Sequence, residues 1–284
     1  MNKLPKYLSM CLLATAALLG GTFPAFAANA PSSNFAVLSA AFGGAGAVTC
    51  TNSTITGDVG SSGLPASVVQ TGCAITGAII APVSSQVLTD FNNVYSQYAA
   101  TPCTGSLATA YTGTTLTLTP GVYCNAAGVT FTDTTLTLDG QSDANAVWIF
   151  KIGTGGTGAL TGTNFSVVMA NSAQQCNVYW WVAEAATMTT SDFKGSILAG
   201  AAITLTGGTF AGRALAKGAV TLTGVAATGC GGGTFNPPKQ RCNQGVGNGP
   251  EGCDPGNSNQ SYPFRSNDEL GGVPGNPGRK GGNK

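Results

Sequence analysis

The stretch 193–229, FKGSILAGAAITLTGGTFAGRALAKGAVTLTGVAATG, carries the pattern from which the rest of the chain is read. Ile197, Ile203, Leu205, Leu215, Val220 and Leu222 alternate with Thr, Gly and Ala over short runs. Glycine breaks each run after about five or six residues, the length of an ordinary strand. Thr204-Leu205-Thr206-Gly207 returns as Thr221-Leu222-Thr223-Gly224, a shift of 17 positions. That period is too long for a hairpin blade and suits one coil of a β-solenoid. In such a coil Leu, Ile and Val point into a narrow core. Thr, stiff at χ1 and carrying both a methyl and a hydroxyl, lies on the outer face. Stacked coils then lay out a ladder of Thr and Ala almost free of charge.

Working outward, the same signature recurs. Ile55-Thr56-Gly57 is echoed by Ile75-Thr76-Gly77, and Thr114-Thr115-Leu116-Thr117-Leu118 by Thr134-Thr135-Leu136-Thr137-Leu138, each 20 positions on. Between them, 82–100 breaks the period of two. Val83, Val87, Phe91, Val94 and Tyr98 fall at helical spacing, with Leu88 and Tyr95 widening the stripe. This is the one convincing helix, and its apolar face is expected to pack along the side of the solenoid. Its polar face holds Asp90, Asn92, Asn93 and Gln97 and no base, unlike a membrane-surface helix. The run 146–152 (AVWIFKI) is nearly all apolar and requires burial on both faces or a cover.

The chain opens as a secretory signal over 1–27, with Lys3 and Lys6, an apolar run over 7–21 and the small-residue site Ala25-Phe26-Ala27. A mature domain over 28–235 and a Gly/Pro/Asn-rich flexible tail over 236–284 follow. The product is expected to be exported, with periplasmic or cell-surface retention as the variant of that reading. Charged residues make up 8% of the chain and the net charge is +1, which argues against nucleic acid or an anionic membrane as partner. Without Cys11 of the signal, eight cysteines remain in an oxidising compartment, so disulfides are the default. Cys50 and Cys73, like Cys103 and Cys124, lie about one coil apart, where stacked residues sit at roughly 4.8 Å. Eight cysteines allow 105 pairings and the sequence does not choose among them; Cys176 with Cys230 and Cys242 with Cys253 are the candidate pairs left over.

The chemistry available is limited. His is absent, so no His-dependent triad can form and no catalytic residue is assigned. Asp58, Asp90, Asp133, Asp139, Asp143, Glu184 and Asp192 mostly stand beside Gly, Ser, Thr or Asn, as turn residues do. No metal site or cofactor is expected, because His and a paired Cys-x-x-Cys are both missing.

From 34 to about 230 the chain resembles the ice-binding-like family of secreted antifreeze proteins. The residues that carry the resemblance include Phe35-Ala36-Val37-Leu38, Thr56-Gly57-Asp58-Val59-Gly60 and the run 116–123 (LTLTPGVY). It continues through Asn145-Ala146-Val147-Trp148-Ile149-Phe150, Cys176-Asn177-Val178-Tyr179-Trp180, Phe193-Lys194-Gly195 and Gly212-Arg213-Ala214-Leu215-Ala216. The resemblance implies a mainly β fold, an irregular right-handed solenoid of triangular section with one long helix alongside. It also implies a non-enzymatic, cofactor-free protein, expected to be a monomer, whose partner is an ice crystal surface. The family's Thr-Ala/Gly-x-Thr/Asn pattern falls on Thr206-Gly207-Gly208-Thr209, and the equivalent places before and after keep Thr204 and Thr221. Thr204, Thr206, Thr209 and Thr221 are therefore the expected ice-binding residues. A structural or adhesive module of the cell surface or matrix, built on the same solenoid, is the alternative.

Overall fold

The computed structural model describes residues 31–230. The signal, the tail over 236–284 and the pair Cys242 and Cys253 lie outside the described residues. Among the described residues every strand pairing is parallel, and each full coil contributes one strand to each of three faces. The sequence repeats set the register directly. Thr204, Leu205 and Thr206 pair with Thr221, Leu222 and Thr223, and Thr115–Leu118 lies on Thr135–Leu138.

The first face is a nine-stranded sheet. From one end it runs Ile79–Ile80, Asp58–Ser61, Phe35–Ser39, Ala214–Ala216, Ser196–Ala199, Val178–Val182, Trp148–Ile152, Gly121–Asn125 and Gly105–Ser106. This is not chain order. The first coil stacks on the last, Leu38 pairing with Leu215, because the helix carries the chain from one end of the stack to the other. The other two faces share a fourteen-stranded sheet folded at a corner, which the long strands Ala186–Lys194 and Ile203–Ala211 cross without a break.

The helix spans Ser85–Ala100 rather than starting at 82. Ser84 is the N-cap, its hydroxyl accepting from the Val87 N–H, so Pro82 stays in the preceding turn. Val87, Phe91, Val94, Tyr95 and Tyr98 are buried against Phe35, Leu38, Val122, Ile149, Tyr179, Trp181, Leu198 and Leu215. Lys151, on strand Trp148–Ile152, donates to the carbonyls of Ala99 (2.8 Å) and Thr101 (2.6 Å) and places its charge at the helix C-terminus. The AVWIFKI run is thus buried on both sides as expected, the helix covering one of them.

Inside the coils the core is filled by Leu, Ile, Val and a ladder of rings. Tyr111 stacks on Phe131, Phe131 on Phe165 and Phe193 on Phe210, with centroids 5.0, 4.3 and 5.7 Å apart. Such stacks add to the area they bury and hold neighbouring coils in register. Cys50 is bonded to Cys73 and Cys103 to Cys124, with Cα atoms 6.1 and 5.9 Å apart. The two bridges fasten the two terminal coils to the stack. A third, Cys176 to Cys230, joins the last described residue to the coil of strand Val178–Val182.

Candidate functional site

The second face is the one the strand pattern equips best. Each of its strands presents two outward residues separated by one inward residue, because successive side chains alternate. Following the register across the stack, the first outward rank reads Ala110, Thr130, Thr161, Thr187, Thr204, Thr221, Thr49 and Val69. The second rank reads Thr112, Thr132, Thr163, Thr189, Thr206, Thr223, Thr51 and Thr71 without interruption. Rows are about 4.8 Å apart and the ranks roughly 6.7 Å, twice the rise per residue. These residues are half-buried or exposed, each threonine being shielded in part by its neighbours in the rank. Neither rank holds a charged side chain.

Beneath them lie Val129, Phe131, Leu160, Ala186, Met188, Ile203, Leu205, Val220, Leu222, Val48 and Cys50, all buried. The array therefore rests on a close-packed core, and χ1 stiffness fixes its hydroxyls and methyls. Its edge is defined by a second device. The residue after each second-rank threonine has a positive φ: Gly113, Asp133, Asn164, Thr190, Gly207, Gly224, Asn52 and Gly72. At this corner Thr134, Ser191 and Ser53 return a hydroxyl to the carbonyls of Thr132, Thr189 and Thr51, at 2.9, 3.0 and 2.8 Å. Those bonds pin the second rank at the point where the chain leaves the face.

Past the corner the third face is interrupted by charge. Lys194 and Asp192 form an ion pair at 2.7 Å, and Lys194 also donates to the Val167 carbonyl. Burial pushes the Asp192 carboxyl up, but hydrogen bonds from Lys194 and Thr209 and the lysine's charge hold it below its ordinary value. On this face the threonines do not form an unbroken rank. One outward row reads Thr115, Thr135, Ser166, Asp192, Thr209, Ala226, Thr54 and Ala74.

The four threonines expected from the sequence divide between these faces. Thr204, Thr206 and Thr221 stand together in the array. Thr209 lies on the third face with its hydroxyl bonded to Asp192, because Gly207 and Gly208, at φ 64 and 77, turn the chain between Thr206 and Thr209. The sequence reading passed over the eleven other threonines of the array. Their signal is Thr-x-Thr followed by a residue at home in a left-handed turn, as in TFTD (130–133), TGTN (161–164) and TCTN (49–52).

The carboxylates are committed to the backbone or to neighbouring side chains. Asp58 accepts from the Ala78 N–H, Asp139 from Gln141, Asp143 from Asn145 and Glu184 from Gly158, at 2.8 to 2.9 Å. Asp133 accepts from Asn164 and Asp90 from Gln86, both at 2.7 Å. Among the described residues no three His, Cys, Asp or Glu side chains are grouped so as to hold a metal ion. Nor is any described helix long and apolar enough to cross a membrane.

A parallel solenoid of three faces, one covered by a helix and one bearing a two-rank threonine array, defines a class of protein with a flat, uncharged, rigid surface. Residues 28–228 match the Ice-binding-like family, and the chain belongs to it. It is 42% identical over 89 residues to Ice-binding protein 1 of Shewanella frigidimarina (strain NCIMB 400), covering 31% of this chain and 10% of that relative's length. Among solved structures it resembles an ice binding protein from an Antarctic Biological Consortium, with a TM-score of 0.62 and 31% identity over 70% of this chain and 90% of that one. The ice-binding protein of the Antarctic ascomycete Antarctomyces psychrotrophicus gives 0.61 and 31% over 72% and 96%.

Proposed function

We propose that this protein is an exported, monomeric ice-binding protein that adsorbs to ice through the two threonine ranks of the second face and so restrains ice growth and recrystallisation. The observation that carries the reading is the unbroken second rank, Thr112 through Thr71, aligned by register with a first rank in which six of eight positions are Thr. Export is supported by the leader-like residues 1–27, and ice as the partner by family membership and by the names of the similar proteins.

The mechanism follows from the side chains. A threonine methyl is too apolar to bind water tightly but orders the water around it, while the hydroxyl beside it anchors that water by a hydrogen bond. Repeated at two regular spacings, the pair holds a layer of water that the crystal can adopt as its own. Ions would disturb this layer, and the array has none. Rigidity matters equally, since a surface that must be ordered on contact loses affinity to that ordering. The array is held by the close-packed core below and the bonded corner beside it.

The test is ice recrystallisation in the presence of the purified chain from Ala28 to Lys284. Suppressed grain coarsening at micromolar protein is expected. Normal coarsening rejects the reading and turns attention to a structural or adhesive role for the same solenoid.

A further inference from the structure

The corner beside the second rank holds an anomaly that the fold does not require. Seven of its eight positive-φ positions are Gly, Asn or Asp, the residues that tolerate a left-handed backbone. The eighth is Thr190, at φ 48. A β-branched residue there is a genuine outlier, and its backbone strain destabilises the folded chain. No side-chain hydrogen bond offsets that cost. Asn164, one rung away, uses its side chain to donate to Asp133 at 2.7 Å, whereas the exposed Thr190 hydroxyl has no hydrogen-bond partner among the described residues.

The position of the outlier is informative. Thr190 directly follows Thr189 in the middle of the stack, on one of the two strands that cross the corner unbroken. Its Cγ2 lies over the neighbouring corner glycine, 3.5 Å from where a Cβ on Gly207 would stand. Its methyl thus fills the space above a residue that has no side chain, and its hydroxyl stays open to solvent. The group continues the methyl-and-hydroxyl pattern past the second rank, where the other corners offer only a hydrogen, an amide or a carboxylate.

We propose that Thr190 is an ice-contacting residue, retained in a strained backbone because it widens the array at its centre. This inference rests on the second face being the ice-binding surface. It separates stability from function in an unusual direction: relieving the strain should make the protein more stable and less active. Thr190→Asn introduces a residue that Asn52 and Asn164 already show the corner accommodates, and Thr190→Gly removes the side chain altogether.

Both variants and the parent would be compared for melting temperature and for thermal hysteresis at equal molar concentration. The expected result is a higher melting temperature for Thr190→Asn, with a clear loss of hysteresis in both variants. Unchanged hysteresis overturns the proposal and leaves Thr190 a strained corner without a role in adsorption. A lower melting temperature in both variants also overturns it, since the side chain would then serve packing over Gly207. If the parent itself shows no hysteresis, the reading of the second face fails and takes this inference with it.

Discussion

At Gly208 the backbone turns at φ +77, and a Cβ there would collide with the carbonyl oxygen of Ser191 on the next coil. This residue decides where Thr209 points, for it completes the turn that removes Thr209 from the array and delivers it to Asp192. Gly208→Ala should lower stability by about 1–3 kcal/mol, since it combines a forced left-handed conformation with a steric clash. Urea unfolding measures this, and a midpoint equal to the parent's would contradict the assignment. Asp192 makes a second prediction at the same scale. Its folded pKa is depressed, so its contribution to stability is complete above the ordinary carboxylate value and is lost as the pH falls through the folded value. The group is half exposed, so the loss is small. Melting curves taken down through that range should show the parent losing more stability than Asp192→Asn. Ice adsorption should stay flat until the fold is affected, because neither rank titrates. Parallel acid losses in parent and variant would show that the pair with Lys194 contributes nothing.

The helix covers the first face, and the corner borders the array on the second. Phe91 is fully buried at the centre of the helix–sheet contact, and Phe91→Ala should cost about 3–5 kcal/mol in thermal or urea unfolding, as large aromatic truncations do. A loss below that range would mean that the helix is held mainly at its ends, by Ser84 and Lys151. Element by element, what could be read from the sequence depended on whether a local pattern determined the outcome. The helix was legible because Val87, Phe91, Val94 and Tyr98 share one face at a period no strand can use. Its first residue was misplaced because Pro82 and Ser84 both suit a helix start, and only the hydroxyl contact with Val87 distinguishes them. The coil period was legible where identical residues repeat, as in TLTG at 204–207 and 221–224. It was hidden where the inward residue changes to Phe, Gly, Met or Cys, since those substitutions obscure an outer pattern that is in fact unbroken. The split of Thr206 from Thr209 was not legible, because a Gly-Gly pair within a strand and one at a corner read alike.

For the molecule as a whole, a solenoid is stable in its middle and frays at its ends, where a coil has one neighbour instead of two. Here Cys50–Cys73 and Cys103–Cys124 are placed at those two ends. Reduction should therefore open Val68–Thr71 and Ala110–Thr112 first, with hydrogen exchange rising there while Ile203–Ala211 stays protected. Uniform exchange across the stack would mean that the bridges act on the whole fold and not on its ends. The central claim is that one face, and within it the two threonine ranks, meets the ice. Thermal hysteresis of Thr206→Tyr against Thr137→Tyr tests it most directly. Both residues point outward on strands, one in the array and one on the third face, and surface changes of this kind usually alter stability by about 0.5 kcal/mol or less. With both variants folded, Thr206→Tyr should lose most of its hysteresis, because the ring lifts ice off the flat array, while Thr137→Tyr keeps the parent value. Full hysteresis in Thr206→Tyr, or an equal loss in both, would contradict the account.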